Sequence, residues 1–296
     1  TFESLCAAKR WYQTPTALRF AALHLAVAGI DPSAEGNQTM ADGLLECFDR
    51  IDPLRSYAVP MAGLAAAREV STAESVRLVI ETLDAFASAQ RPLGRTDRAR
   101  ALPLLVYSRP RGSFAETIDR LGRAHQAWNL RHRWMTTGRH YSFAAIAAAD
   151  GIDPESNATV AEDIHDRLND AGYWHEWDAS ILLSFHPGGA EKATTRYREA
   201  VEGFTGGSRK PPPVARDDLA LVALADGDAR DAGAKLAEHE RLLLRLRPRP
   251  SRQVSLALAA ALVLRSAISP DGWQWNALHG FGMYAYAEAL REEASD

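Results

Sequence analysis

The phrase "AVAGIDPSAEGN" at residues 26–37 returns as "AAADGIDPESN" at 147–157. A chain that writes one unit twice folds that unit twice, which constrains the architecture more than composition does. The likeness runs well past the phrase. "FAALHLAVAGIDP" from Phe20 answers "FAAIAAADGIDP" from Phe143, and "YAVPMAGLAAA" at 57–67 answers "WDASILLSFHP" at 177–187. Further on, "TAESVRLVIETLDAFA" at 72–87 answers "GAEKATTRYREAVEGFT" at 189–205. Gly29 recurs as Gly151, Tyr57 as Trp177 and Phe86 as Phe204, a shift of about 120 residues each time. "RHYSFAAIAAA" at 139–149 is echoed by "RQVSLALAAAL" at 252–262, which opens a third, partial unit. Order and spacing conserved over a whole unit point to a repeat architecture, in which each unit buries its apolar face on the next.

The punctuation inside a unit is helical. "GIDP" reads as a turn, with Gly closing one helix and Pro fixing the exit. The Asp could hold a ligand, but Gly, Asp and Pro together are turn chemistry. Ser33, Asn37, Asn157 and Thr159 are expected to cap the following helix, and Ser71 with Glu74 to form a capping box. Val76, Val79, Ile80, Leu83 and Phe86 recur at spacings of three and four, one apolar stripe. Ala and Leu dominate while β-branched residues are sparse, which favours helices over strands. The expectation is a single all-α domain over 1–296, built as a helical-hairpin repeat. It would hold two six-helix modules, 14–130 and 137–250, and two capping helices over 252–293. An open α-solenoid is favoured over a closed toroid because no helix end carries a clear catalytic cluster.

A net charge of -4 supplies no field toward nucleic acid or membrane. The longest apolar run, "VSLALAAALVL" at 254–264, is too short to span a bilayer, so no membrane partner is expected. The opening "TFESLCAAKRWYQTP" lacks a secretory pattern, and Cys6 and Cys47 suit a reducing compartment; the expected location is cytoplasmic.

Two segments carry candidate chemistry. "YWHEWD" at 173–178 sets Trp174, His175, Glu176, Trp177 and Asp178 together, with His165 on the preceding helix. These are the candidate ligand or metal residues, although no H-E-x-x-H or Cys ligand accompanies them and an aromatic plug is the simpler role. The first unit has no histidine there, so the position diverges between copies. Basic residues alternate with aromatics around Arg131, Arg133 and Arg139, and return in "RLRPRPSRQ" with Arg247, Arg249 and Arg252. These six are candidates for an anionic partner, against the plainer role of surface arginines at helix ends. Trp273, Trp275, Phe281, Tyr284 and Tyr286 either line an apolar cavity or cap the last repeat. Phosphate loops, nucleophile elbows and C-x-x-C pairs are missing, and no cofactor is predicted. The leading expectation is a protein–protein interaction scaffold. The alternatives are an enzyme or ligand-binding protein with a pocket near His165, His175 and Glu176, and nucleic-acid binding along the arginine edge.

"RDDLALVALA" at 216–225, a helix pair and then "RQVSLALAAAL" at 252–262 give the chain its one family likeness. In these it resembles an uncharacterised bacterial all-helical family, domain of unknown function four thousand and three. That resemblance implies helices and no particular activity.

Overall fold

The computed structural model describes residues 5, 14–30, 34–89, 93–108, 112–174, 176–207, 210–245, 250–265 and 273–293. Thr14 starts α1 (Pro15–Ala28) by accepting the Ala17 N–H at 3.1 Å, with Pro15 in the first turn, where no intrahelical donor is needed. Gly29 ends it at φ 73°, and the Ile30 N–H donates to Leu25 O at 3.0 Å. Gly151 ends α7 (Tyr141–Ala149) at φ 72°, and the Ile152 N–H donates to Ala147 O at 2.9 Å. The repeated phrase is thus one left-handed turn made twice, at a dihedral that glycine adopts freely.

Between these two helices lie α2 (Ala34–Glu46), α3 (Ala58–Ala67), α4 (Thr72–Ser88), α5 (Arg95–Tyr107) and α6 (Phe114–Arg131). After α7 come α8 (Pro154–Asp170), α9 (Trp177–Leu183), α10 (Gly189–Thr205), α11 (Arg216–Ala223), α12 (Ala229–Leu243), α13 (Arg252–Arg265) and α14 (Trp273–Glu293). Short 3-10 turns at Pro53–Tyr57, Gly138–His140 and Pro213–Ala215 lead into α3, α7 and α11. Among the described residues every regular element is helical.

The caps differ in part from expectation. Ser71 accepts the Glu74 N–H at 3.3 Å, but the Glu74 carboxylate pairs with Arg77. A complete capping box forms instead at Ser113 and Glu116. Asp153 caps α8, so Asn157 is no cap: it is buried, accepting from Trp128 Nε1 at 3.1 Å and donating to Ser184 Oγ at 2.9 Å. Asn37 and Thr159 likewise lie inside helices, and Ser33 falls outside the described residues.

Burial sorts the helices into two layers. α3, α7 and α9 are buried almost all round, whereas α4, α8, α10 and α12 bury one stripe and show solvent the other. The outer helices pack in series, α2 on α4, α4 on α6, α6 on α8, α8 on α10 and α10 on α12. The α10–α12 approach is the tightest, because a Cβ on Gly203 or Gly233 would overlap the Arg230 or Ala200 carbonyl. Inside, α1 packs on α3, α5 on α7, α9 on α11 and α11 on α13, and α13 returns to α1. The first and last of these inner helices are therefore in contact, and α14 lies among them. Rather than capping one end it packs against α1, α5, α7, α11 and α13, and buries Phe281, Tyr284 and Tyr286 at the centre. The side chains of Trp273 and Trp275 lie outside the described residues.

Candidate functional site

Three inner-helix starts meet at one place. The turn after α6 and the 3-10 turn before α7 bring Trp134, Thr137, Arg139 and His140. The start of α9 brings Glu176, Trp177 and Asp178, and the start of α11 brings Arg216 and Asp217. Between them lies a cavity of about 420 Å³, and Tyr284 of α14 reaches two of its carboxylates. A helix start leaves unsatisfied N–H groups and a positive dipole end, so carboxylates are at home there.

The contacts are specific. Asp178 Oδ1 lies 2.8 Å from His140 Nε2, and the Thr137 N–H donates to His140 Nδ1 at 2.9 Å. Asp178 can only accept, so His140 Nε2–H points at it, while Nδ1 lies between the Thr137 N–H and, at 3.1 Å, the Thr137 carbonyl. Arg139 Nη2 meets Asp178 Oδ2 at 2.5 Å. Glu176 Oε1 is 3.1 Å from Arg216 Nε, while the Tyr197 hydroxyl donates to Oε2 at 3.1 Å. The Tyr284 oxygen lies 3.3 Å from Asp178 Oδ2 and 3.1 Å from Asp217 Oδ2. A phenol has one proton, so one of these two carboxyls must supply its own.

Electrostatics decides which. Glu176 is 2% exposed, and burial pushes its carboxyl up to about 7 against the pull of Arg216 and Tyr197. Asp217 is pushed up to about 8 by burial and then by the negative Asp178. Burial also opposes ionisation of Asp178, but the hydrogen bond and charge from His140 and the charge of Arg139 hold it below the usual range. At neutral pH Asp217 is then the protonated partner: its O–H points at Tyr284, and the Tyr284 O–H at ionised Asp178. Carboxyls driven apart in this way are the arrangement that acid–base chemistry uses.

The sequence candidates fall out unevenly. Glu176, Trp177 and Asp178 line the cavity; Trp177 is buried, its Nε1–H donating to Thr136 Oγ1 at 2.9 Å. Trp174 is exposed, and its carbonyl oxygen lies 3.3 Å from Arg216 Nη1. His165 is buried behind the wall, edge-on to Trp177 at 5.6 Å and to His132 at 4.7 Å. His175, Arg247 and Arg249 lie outside the described residues. Arg139, expected on a basic edge, turns into the cavity. Arg131 pairs with Glu162, Arg252 pairs with Glu240 at 2.6 Å, and Arg133 is exposed. Among the described residues no group of three His, Cys, Asp or Glu is placed to hold a metal ion. His140, Tyr197, Arg216 and Asp217 were not anticipated as site residues, and Tyr284 was expected at an apolar cavity or a cap rather than beside carboxyls. Only "RDD" at 216–218 carried a signal, because the first unit has "RAR" at the matching 98–100.

No family model, no curated protein and no solved structure matches the chain.

Proposed function

We propose that the cavity is the active site of an enzyme that moves protons on a small polar molecule, with Glu176 as general acid and Asp178 as general base. The observation that carries this reading is the meeting of three carboxyls of unlike protonation, Glu176, Asp178 and Asp217, at one open cavity. His140 and Arg139 hold Asp178 ionised, and Tyr284 links it to Asp217; these are positioning residues. The chain is read as two six-helix units and a partial third. In that register Ser56, Ala58 and Ala99 stand where Glu176, Asp178 and Asp217 stand, so the chemistry belongs to the second unit alone. A docking role along an arginine edge draws less support, since Arg131, Arg139 and Arg252 are already paired with carboxylates.

The test is a ¹³C-carboxyl NMR titration, with Glu176→Gln to assign the signal. Glu176 is expected to titrate near 7. A midpoint near the ordinary value of about 4.3 would remove the general acid and the proposal with it.

A further inference from the structure

On the cavity wall each guanidinium faces a carboxyl: Arg139 meets ionised Asp178 at 2.5 Å, and Arg216 Nε lies 3.1 Å from Glu176. An anionic ligand would face the carboxylates and a cationic one the guanidiniums, so either meets like charge in the same wall. A neutral hydroxyl does not, since it donates to a carboxylate and accepts from a guanidinium at once.

The rim adds a second feature. Trp134, in the turn between α6 and α7, is 95% exposed and still lines the cavity. Its indole packs on nothing that would hold it out of water, so it serves the fold little. A flat apolar face beside a wall of paired charges matches a molecule with one C–H face and a fringe of hydroxyls.

We infer that the cavity binds a neutral carbohydrate, its hydroxyls read by the Arg139–Asp178 and Arg216–Glu176 pairs and its ring face laid on Trp134. This rests on the proposal that the cavity is the functional site.

The test uses the whole chain labelled with 5-fluorotryptophan, the Trp134 signal being assigned by Trp134→Phe. Neutral disaccharides are titrated in, with galacturonate and glucosamine as the charged arms. The expected result is a saturable ¹⁹F shift at Trp134 with at least one neutral sugar at millimolar concentration or below, weakened at least about tenfold by Trp134→Ala. Because Trp134 is exposed, that variant keeps the wild-type melting temperature, and lost binding is then not lost folding. Silence of the Trp134 signal to every neutral sugar, or tighter binding of either charged sugar, overturns the carbohydrate assignment. The Glu176 titration in the same sample separates the two failures. If Glu176 still titrates near 7 the acid–base proposal survives without this substrate class, and otherwise both fall.

Discussion

At the start of α3, Tyr57 meets Tyr286 of α14 edge-on at 5.3 Å, and the Tyr286 hydroxyl donates to Ser56 O at 2.6 Å. At the start of α9, Trp177 bonds to Thr136, and the neighbouring Asp178 is reached by Tyr284, two residues earlier on the same helix. Both corners rest on α14, but the first is aromatic on aromatic and the second is carboxylate on phenol. Ala58 and Ala99 are fully buried in the first, and leave their space to rings. Asp178 and Asp217 at the matching positions leave space for a cavity and its charges instead. One corner holds the fold together, and the other gives up packing for titratable groups. The contrast teaches that two corners resting on one helix can differ in kind, one closed by packed rings and the other left open around titratable groups.

The largest effect that would sharpen this contrast is at the aromatic corner. Tyr286→Ala removes a fully buried ring that also contacts Phe20 at 5.4 Å, and should cost about 3–5 kcal/mol of unfolding free energy in urea. A loss below about 1 kcal/mol would break the claim that this corner is structural.

The next is pH. Glu176 and Asp217 hold their protons more tightly folded than unfolded, so their contribution is present near pH 4 and is lost as pH rises through about 7 to 8. The buried His24 is lowered to about 3 by burial, and His279 is lowered as well by burial and by His24. Their contribution works the other way: it is complete above the ordinary value of about 6.5 and is lost as pH falls below it. Between pH 6.5 and 8 the loss from the carboxyls outweighs the remaining gain from the histidines, and unfolding free energy should fall by about 1–2 kcal/mol. Asp217→Asn should flatten most of that slope, and a slope unchanged in the variant would show that Asp217 is not the group responsible.

The smallest effect on stability comes from Tyr284→Phe. It removes one hydroxyl at the polar corner and should cost only about 1 kcal/mol, in contrast to Tyr286→Ala. It should nevertheless move the carboxyl titrations of Asp178 and Asp217, since each loses its hydrogen bond to the phenol. A titration identical to wild type would cut Tyr284 out of the site.

Much of the fold was written in the chain. The glycine turns at 29 and 151, the apolar stripe of α4 and the diverging "YWHEWD" corner all follow from local periodicity and turn chemistry. The return to α1 was not, because the contacts of α13 and α14 with it join residues more than 200 positions apart. Shorter separations, still well beyond a local pattern, hid half of the site. Asp178 was legible beside its tryptophan, but Arg139 read as part of a basic edge for an anionic partner, Tyr284 as an aromatic of an apolar cavity or cap, and Asp217 as an ordinary helix residue. Their carboxyl and phenol acquire meaning only where three helix starts meet. Asn157 misled for a simpler reason: asparagine favours caps, and a buried bond to Trp128 outweighs that preference.

The central position of α14 also sets an order of events during synthesis. Residues 273–293 leave the ribosome after every other described helix, yet Phe20, Tyr57 and Phe143 all depend on them for cover. Until then the nascent chain carries an uncovered, greasy face, so the hazard of sticking to itself or to a chaperone peaks just before this last segment arrives.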